Sequence, residues 1–466
     1  MTLFRRLFAR APLSWTGAEP GAPRLRRALR WPALTAIGLG TMLGGIFPTI
    51  GAGAHAAGPA VILAFLLSGL VCACVAVCYA EFASMVPVAG SAYTYAYATL
   101  GEAVAWIIGW DLILEYGISA APVASSWSQY AQSLLASAGV HLPYWAQTAN
   151  VRATHWQIDV LAALVVLAIS ALLAIGIRES SRVNGALVVV QIVAMVVFVS
   201  AIARFVHPAN LHPFAPHGWH GVLTSTALVF FAYIGFDTVT VASEEAHDPA
   251  RDVPIAILVS LAIGGVLYVA MTWVTVGSTP WRQLSDGAAL LDAVKANGND
   301  GWLAAIVGVG GIAGNTTVML TSLLGQVRIF YVMARDRLLP PSVASVHPRF
   351  RTPARMTMIT GVLVSVLAAM VPLDALLSLV NIGTLSAFAI VCAGVLVLRI
   401  IAPAAPRPFR APLAPLFTVL GTLSCLFLIS GLSVTTWVRF AIWFVAGAIV
   451  YAVYGYRHSR LHASTR

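Results

Sequence analysis

Four glycines and a proline crowd one stretch of the first apolar segment, where the backbone rather than the side chains could bind a ligand. The stretch reads Gly38-Leu39-Gly40-Thr41-Met42-Leu43-Gly44-Gly45-Ile46-Phe47-Pro48. Each glycine weakens a helix by about 1 kcal/mol relative to alanine, and Pro48 disfavours the helical conformation at the preceding residue. We therefore expect the helix to break near Gly44–Phe47 and to free amides and carbonyls. A glycine-rich face for close helix packing is the alternative that this stretch alone leaves open.

A second break is predicted in a later apolar segment, Phe230-Phe231-Ala232-Tyr233-Ile234-Gly235-Phe236-Asp237. An aspartate inside a membrane helix is costly, and such residues usually mark a functional site or a paired structural group. The glycine that precedes it weakens the helix again. Two broken helices at corresponding places in two halves of a chain point to the midplane binding site of a transporter.

The two breaks together predict the kind of ligand. The half-helix that follows the first break offers unpaired N–H groups and the positive end of its dipole, which suit a carboxylate. The C-terminal ends of the other half-helices offer carbonyl oxygens, which suit an ammonium group. A site that holds both charges close together fits a zwitterionic α-amino acid.

The composition identifies the elements that must position this site as membrane helices. Hydrophobic residues make up 59% of the 466 residues and charged residues only 9%, whereas a soluble domain carries about 25% charged residues. The net charge of +10 is concentrated at the ends of apolar runs, so it indicates membrane orientation rather than nucleic-acid binding. We expect contact with the lipid bilayer and a small-molecule substrate, without nucleic acid or an obligate protein partner.

The apolar runs predict twelve spanning helices, at 32–56, 58–80, 102–134, 157–177, 183–205, 219–244, 254–278, 301–334, 355–372, 374–399, 412–431 and 435–455. Most of the 27 Lys and Arg residues fall on one side of this arrangement, which the positive-inside rule makes cytoplasmic. Both termini are then cytoplasmic, in the cell (inner) membrane. Spans 1 and 6 correspond if the core is two inverted units of five. The predicted divisions are a tail at 1–31, repeats at 32–205 and 206–399, and two helices with a short tail at 400–466.

Several long motifs resemble one known family. They are Cys-Tyr-Ala-Glu-Phe-Ala-Ser-Met-Val-Pro-Val-Ala-Gly-Ser-Ala-Tyr-Thr-Tyr at 78–95, Gly-Trp-Asp-Leu-Ile-Leu-Glu-Tyr at 109–116, the second break with Glu-Glu-Ala-His-Asp-Pro at 244–249, and Gly-Gln-Val-Arg-Ile-Phe-Tyr-Val-Met-Ala-Arg-Asp at 325–336. From about residue 32 to 455, the chain resembles the cationic amino acid transporter branch of the amino acid–polyamine–organocation (APC) superfamily. The resemblance implies an all-α integral membrane fold. Its core would be a leucine-transporter-like five-plus-five inverted repeat with helices 1 and 6 broken, followed by two C-terminal helices.

The resemblance also implies transport of L-amino acids by alternating access, with roles for both breaks. The substrate carboxylate would bind the backbone near Gly44 and Gly45. The ammonium would bind carbonyls around Met42 and of Phe231, Ala232 and Ile234, and Phe231 would be the aromatic gate. The whole predicted substrate site is Met42, Leu43, Gly44, Gly45, Ile46, Phe231, Ala232, Ile234 and Gly235. In the family a small residue, usually Thr or Ser, separates the two glycines, so their adjacency here removes one amide from the carboxylate cradle.

Gln191 bears on the energy source for transport. The segment 182–191 matches a family pattern whose last position is commonly Lys, a residue thought to take up the coupled proton. Glutamine does not titrate, so this route is closed, although its amide could brace span 1 against span 8 near Thr316 and Thr317. A facilitator or exchanger is therefore favoured. A symporter that couples protons through another acid and a non-transporting amino acid sensor are the alternatives.

Other polar residues in the predicted spans have two interpretations each. Asp111 and Glu115 are four residues apart and so lie on one face of span 3. Glu115 either selects a cationic side chain or braces neighbouring helices. Asp237 either takes part in coupling or caps the second break, because a carboxylate suits a helix N-terminus. Asn315 either faces the site or satisfies a neighbouring helix.

Other classes of function lack their signatures in the sequence. The chain contains no zinc-ligand histidine pair with a glutamate, no Gly-x-Ser-x-Gly elbow and no Ser/Lys pair in a membrane segment; its one lysine, Lys295, falls in an outer loop. We therefore expect neither an enzyme nor a cofactor or metal site. The two unequal breaks also differ from the repeated filters of a channel.

Overall fold

The computed structural model describes residues 29–85, 91–149, 157–175, 180–299, 301–345, 347 and 352–460. Most of the predicted N-terminal tail and residues 461–466 lie outside this range. All regular elements within it are helical, and none of the described residues forms a β-strand. The described part of the chain is therefore helical, as the sequence predicts.

The first half of the chain contains α1 to α7. Their bounds are α1 Trp31–Met42, α2 Ile50–Ala57, α3 Val61–Met85, α4 Ser91–Thr99, α5 Glu102–Ser137, α6 Val160–Ile175 and α7 Ser180–Ile202. The second half contains α8 Gly218–Val229, α9 Pro249–Ser278, α10 Ala289–Ala296, α11 Trp302–Arg335, α12 Ala354–Met370, α13 Leu373–Ile401, α14 Ala414–Ser430 and α15 Val434–Val450. A π-helix at Tyr451–Gly455 and one turn at Tyr456–His458 extend α15.

Short 3₁₀ segments connect or interrupt these helices. The segments that matter for the site are Leu43–Ile46, Phe230–Tyr233 and Phe236–Glu245. The others are Gly58–Ala60, Tyr144–Ala146, Ala203–Phe205, Pro208–Leu211, Trp281–Gln283 and Pro341–Ala344.

Within the described part of the chain, eight helical stretches are long and apolar enough to cross a membrane. They are Ile50–Met85, Glu102–Ser137, Gly185–Phe205, Gly218–Thr240, Pro249–Ser278, Trp302–Arg335, Leu373–Ile401 and Val434–His458. Shorter apolar helices lie where spans 1, 4, 9 and 11 are predicted, at Trp31–Ile46, Val160–Ile175, Ala354–Met370 and Ala414–Ser430. The fold is thus that of a multi-pass helical membrane protein. The number twelve and the inverted repeat stay predictions.

Helix α11 packs closely against both α5 and α7 because glycines face those neighbours. A Cβ atom on Gly310 would lie 2.2 Å from the Cβ of Ala194 on α7. A Cβ atom on Gly311 would lie 2.6 Å from ring carbons of Tyr130 on α5. Small residues let membrane helices approach in this way, since packing rather than the hydrophobic effect holds helices together in lipid. The close approach brings α5 and α11 to the site described below.

Both predicted breaks fall where an α-helix ends. Helix α1 ends at Met42, the 3₁₀ turn Leu43–Ile46 follows, and α2 begins at Ile50. Helix α8 ends at Val229 and passes into two 3₁₀ segments, which are separated at Gly235. Gly235 has a φ of 118°, a conformation that glycine adopts without the steric cost of a side chain. Glycines therefore lie within both irregular segments, although helix α8 already ends at Val229, before Gly235.

Glu81 joins three parts of the fold at the end of α3. Its carboxylate accepts hydrogen bonds from the guanidinium of Arg399 on α13, one of them 2.9 Å from Nε, and from the backbone N–H of Ala411 at 2.9 Å. Nε of Arg407 lies 3.3 Å from the same carboxylate. Glu81 and Arg407 are almost fully buried, so this ion pair is held in place rather than merely solvated.

We predict that Glu81→Gln lowers the free energy of unfolding by about 2 kcal/mol, because the buried Arg407 and the partly buried Arg399 lose their carboxylate. Thermal unfolding in detergent measures this change. Arg410→Gln is the control, since Arg410 is exposed and should be neutral. Equal unfolding temperatures for wild type and Glu81→Gln would contradict the assigned role.

Candidate functional site

A small cavity lies where the two broken segments meet α5 and α11. It has room for about one water molecule. Its lining comes from Thr41, Gly45, Glu115, Tyr116, Ser119, Phe231, Ile234, Gly235, Thr238, Val318 and Ser322. Four separate parts of the chain therefore contribute to one enclosed space.

The adjacent glycines of the first break face two different neighbours. A Cβ atom on Gly45 would lie 2.8 Å from the Cα atom of Ala232 and 3.1 Å from the carbonyl oxygens of Phe231 and Ala232. A Cβ atom on Gly44 would lie 2.5 Å from the carbonyl oxygen of Gly314 on α11. The first break therefore contacts the main chain of the second break on one side, and the main chain of Gly314 and the side chain of Val318 on α11 on the other.

Side chains supply hydrogen-bond donors to the carbonyls that the breaks release. The hydroxyl of Thr49 donates to the carbonyl oxygens of Gly45 at 2.9 Å and Ile46 at 3.1 Å. The hydroxyl of Thr238 donates to the carbonyl oxygen of Gly235 at 2.6 Å. In the apolar interior an unpaired carbonyl would cost free energy, so these short-range hydroxyls stabilise both irregular segments.

Two residues on other helices donate hydrogen bonds to further backbone carbonyls at or near the breaks. The amide of Asn381 on α13 donates to the carbonyl oxygens of Ala227 at 2.7 Å and Leu228 at 3.0 Å, just before the second break. The hydroxyl of Tyr268 on α9 lies 2.6 Å from the carbonyl oxygen of Met42 and 2.7 Å from that of Ala232. Tyr268 therefore connects the two breaks to each other. Sequence reasoning missed both residues, although each is a polar group within a predicted apolar span.

Two buried acids lie at or beside the cavity. Glu115 lines it, is 1% exposed, and forms no hydrogen bond of normal geometry with any described residue. Asp237 lies in the first turn of Phe236–Glu245 and accepts a hydrogen bond of 3.2 Å from the hydroxyl of Tyr116, a lining residue. Asp111 is fully buried one turn from Glu115, outside the cavity lining. The acids on this face of α5 thus differ in their access to the cavity.

Gln191 is fully buried on α7, next to the first break and α11. A Cβ atom on Gly314 would lie 2.9 Å from its Cδ and 2.6 Å from a ring carbon of Phe47. Among the described residues neither its amide nitrogen nor its oxygen has a hydrogen-bond partner. The side chain therefore lies close to Gly314 on α11, near Phe47, and makes no hydrogen bond to any described residue; a bracing role for it stays a prediction.

The three polar residues of α11 that the sequence analysis selected are engaged outside the cavity. The hydroxyls of Thr316 and Thr317 donate to carbonyls one turn earlier, at 2.7 Å and 3.0 Å, and Thr316 also accepts from the indole of Trp127. The amide of Asn315 donates to Ser126 on α5 at 3.1 Å. None of these three residues belongs to the cavity lining; they connect α11 to α5 or to its own backbone.

The structure brings only part of the predicted substrate site to the cavity. Gly45, Phe231, Ile234 and Gly235 line it. The remaining predicted residues are buried around the breaks: Met42, Leu43, Gly44, Ile46 and Ala232. The sequence analysis did not select the other lining residues, Thr41, Tyr116, Ser119, Thr238, Val318 and Ser322. Helical spacing could have identified Ser119, because it lies one turn from Glu115 and therefore on the same face of α5.

Two broken helices beside a small cavity are typical of membrane carriers, and comparisons with known proteins identify the class. A sequence model of the amino acid permease family matches residues 29–456. A branched-chain amino acid permease of Bacillus subtilis is 43% identical over 96% of both chains. A methylthioribose transporter of the same organism is 42% identical over 98% of this chain and 99% of its own. Human cationic amino acid transporter 4 is 37% identical over 80% of this chain, which spans 60% of that protein.

The chain therefore belongs to the amino acid permease family of the APC superfamily. This confirms the resemblance that the sequence motifs indicate. The protein is a transporter of small molecules and not an enzyme.

We predict that Gly45→Ala reduces transport by about tenfold or more, because the new methyl group must displace the main chain of the second break. Initial rates of uptake into proteoliposomes measure the loss. Gly185→Ala on α7 is the matched control, since a Cβ atom there meets nothing within 4 Å. Full activity of Gly45→Ala would show that the two breaks do not need this close contact.

We predict that Gln191→Leu raises the free energy of unfolding by about 1–3 kcal/mol, because it keeps a similar volume and removes a buried amide that has no hydrogen-bond partner among the described residues. The midpoint of thermal unfolding in detergent measures the gain. Val189→Leu, at an exposed position two residues away, is the control for adding apolar surface to the same helix. A lower midpoint for Gln191→Leu would mean that the amide is paired in the native protein.

Proposed function

We propose that the protein carries zwitterionic L-amino acids across the cell (inner) membrane by alternating access, as a facilitator or exchanger. The observation that supports this most strongly is the main-chain contact of Gly45 with Phe231 and Ala232 beside the cavity. Amides of the first break and carbonyls of the second can then reach the carboxylate and ammonium of one small ligand. An amino acid is larger than this cavity, so we propose that the surrounding segments move apart when it binds.

The alternating movement that we propose uses two inverted five-helix units, at 32–205 and 206–399. The two breaks would serve as the points at which half-helices tilt, since few regular hydrogen bonds cross them. Phe231 lines the cavity and would act as the aromatic gate over the bound ligand. Both termini would face the cytoplasm, as the distribution of basic residues favours.

For the substrate side chain, we propose a neutral apolar group of branched-chain size. Ile234, Phe231 and Val318 give the cavity an apolar portion, and a relative that covers nearly the whole chain is named a branched-chain amino acid permease. Cationic amino acids are the second candidate, because Glu115 lines the cavity without a hydrogen-bond partner among the described residues. A buried carboxylate of this kind suits a cationic side chain.

The absence of a titratable group at position 191 supports a carrier without proton coupling at that place. Gln191 lies beside the first break, so a change of charge at this position would alter the electrostatic energy of the segment that we propose to move. Glu115 and Asp237 are the acids through which proton coupling would run if the protein is a symporter. A non-transporting sensor would show the same site without flux.

Uptake into proteoliposomes tests these proposals. Radiolabelled leucine, alanine, arginine, lysine and methylthioribose are offered with and without an inward proton gradient, and with and without preloaded amino acid. Uptake that requires preloading identifies an exchanger, and equilibration without it identifies a facilitator. Accumulation driven by the gradient overturns both in favour of a symporter. Folded protein that binds an amino acid without carrying it would be a sensor.

We predict that Gln191→Lys makes uptake depend on pH, because it places a titratable ammonium between the first break and α11. The measurement compares initial rates from pH 5 to 9 in the variant and in wild type. Gln191→Met, which is uncharged and similar in length, is the control. If Gln191→Lys and Gln191→Met give the same pH profile, a charge at this position has no influence on the moving segment.

We predict that Glu115→Gln changes selectivity between arginine and leucine only if Glu115 faces the substrate side chain. A loss of arginine uptake by about tenfold with leucine uptake kept would assign Glu115 to a cationic side chain, since one charge-assisted hydrogen bond contributes about 1.5–3 kcal/mol. Competition between the two amino acids in the same vesicles measures this ratio. An equal loss of both would assign Glu115 to bracing or to proton coupling.

A further inference from the structure

His55 and Asp286 form a hydrogen-bonded pair at the end of α2, the half-helix that follows the first break. Nδ1 of His55 lies 2.7 Å from a carboxylate oxygen of Asp286. The side chain of His55 is 39% exposed and that of Asp286 is 50% exposed, so both can exchange protons with the solution. The backbone carbonyl of Leu284 is a second acceptor for the same ring. Two acceptors around one imidazole suit its protonated form, because only that form carries two N–H donors.

Asp286 belongs to a segment that contacts both α2 and α5. We call residues 284–287 the bridging segment. A Cβ atom on Gly51 of α2 would lie 1.9 Å from the carbonyl oxygen of Ser285, so α2 packs directly against the main chain of this segment. The hydroxyl of Ser126 on α5 donates to the carbonyl oxygen of Gly287 at 2.6 Å. The bridging segment therefore links the half-helix that follows the first break to α5.

This link lies close to the cavity along both helices. Gly51 follows the lining residue Gly45 by a few residues of chain. Ser126 follows the lining residue Ser119 by about two turns of α5. When the site opens at this end of the bundle, α2 and α5 must move apart, and the contacts of the bridging segment with one of them must break.

Further charged or titratable residues lie on the elements that pack against α2. They are His220 on α8, Arg282 in Trp281–Gln283, and Asp292 and Lys295 on α10. Asp292 accepts hydrogen bonds from the N–H and hydroxyl of Ser285, and Lys295 donates to the hydroxyl of Ser133.

Two of these residues are directed away from an acid. The guanidinium of Arg282 lies 4.6 Å from the centroid of the Trp281 ring, and His220 is exposed. Among the described residues, Asp286 is the carboxylate that pairs with His55. The charge on His55 is therefore the one that changes the strength of the contact between α2 and the bridging segment.

We propose that His55 and Asp286 form a proton-dependent latch, which holds the carrier closed at the end of the bundle where His55 lies. Protonated His55 makes a charge-assisted hydrogen bond to Asp286, and such bonds are about twice as strong as neutral ones. Imidazole changes its charge between about pH 5 and 8. The inference rests on the proposed function, because a latch requires a carrier that opens and closes. The distribution of basic residues makes this end the outer one.

The latch gives transport a pH dependence of defined sign. At low pH the imidazolium and the carboxylate stabilise the closed arrangement, so α2 separates from the bridging segment less often. At high pH the neutral imidazole keeps only an ordinary hydrogen bond. Uptake should therefore become faster as the pH rises, which is opposite to the acceleration by acid that proton coupling would give.

The test is His55→Gln in proteoliposomes, with the same pH on both sides so that no proton gradient drives transport. The substrate is whichever of leucine, alanine, arginine or lysine the wild type carries. We expect the initial rate of the wild type to rise by about two- to fivefold from pH 5 to 8, since half-exposed ion pairs are weak. His55→Gln should lose this rise, because glutamine keeps a donor but does not titrate. The ratio of rates at two pH values is independent of how much protein is folded.

His217→Gln is the matched control. The ring of His217 also packs against Trp281, with centroids 5.5 Å apart, compared with 6.4 Å for His55. Its Nδ1 lies 3.0 Å from the backbone carbonyl oxygen of Ala56 and not from a carboxylate. The variant removes a histidine from the same cluster and should keep the pH profile of the wild type.

Thermal unfolding in detergent examines the pair without transport. His55→Gln, Asp286→Asn and the double variant form a double-mutant cycle. We expect the two effects on the unfolding temperature to be non-additive at pH 5 and closer to additive at pH 8, because only the protonated imidazole makes the stronger contact.

Other outcomes overturn the inference. Wild-type uptake that stays constant or falls from pH 5 to 8 contradicts the latch, and so does a His55→Gln profile that matches the wild type. Loss of the rise in His217→Gln as well would remove the assignment to this pair. Equal non-additivity at both pH values would mean a hydrogen bond that does not depend on protonation. A wild type that carries no amino acid refutes the proposed function and the latch's role in transport, while the unfolding cycle still decides whether the pair depends on protons.

Discussion

Every backbone group that a broken helix releases inside a membrane bundle must find a partner within the protein, since lipid offers none. That constraint explains much of what surrounds the cavity. Thr49 and Thr238 satisfy carbonyls within their own segments, while Asn381 and Tyr268 reach in from α13 and α9. The helices that carry these donors are therefore fixed around the breaks. The irregular backbone requires donors on the neighbouring helices, and those donors remove the free-energy cost of unpaired carbonyls in an apolar interior.

Close approach of neighbouring main chain explains why Gly44 and Gly45 carry no side chain. Each glycine lies close to main chain, one to that of α11 and the other to that of the second break, and a side chain on either would push these elements apart. Gln191 shows the opposite situation, because its buried amide has no partner among the described residues. Such a group costs stability, and a protein tolerates that cost most readily at a site where function selects the residue.

The sequence predicts the breaks and the long helices well, because both are local properties. Glycine and proline mark Leu43–Ile46 and Gly235, and apolar runs place the ends of α5, α9 and α11 within a few residues. The choice of hydrogen-bond partners is different, since Tyr268 reaches Met42 across more than two hundred residues of chain. Nothing in local spacing tells which helix faces which carbonyl. For that reason the sequence offers Asn315 and Thr317 as candidates for the site, whereas Asn315 bonds to α5 and Thr317 bonds to the backbone of its own helix.

The main-chain contact at Gly45 has a consequence for how such a protein can diverge. Where backbone meets backbone, no exchange of side chains can adjust the fit, so this portion of the cavity is closed to mutation. Ser119, Val318 and Ser322 line the same space from α5 and α11 with side chains that can change. One part of the cavity is therefore formed by main chain that mutation changes little, and another part, the wall formed by these three residues, by side chains that mutation can change. Descendants of one ancestor can acquire new preferences by altering that wall, without rebuilding the two broken helices.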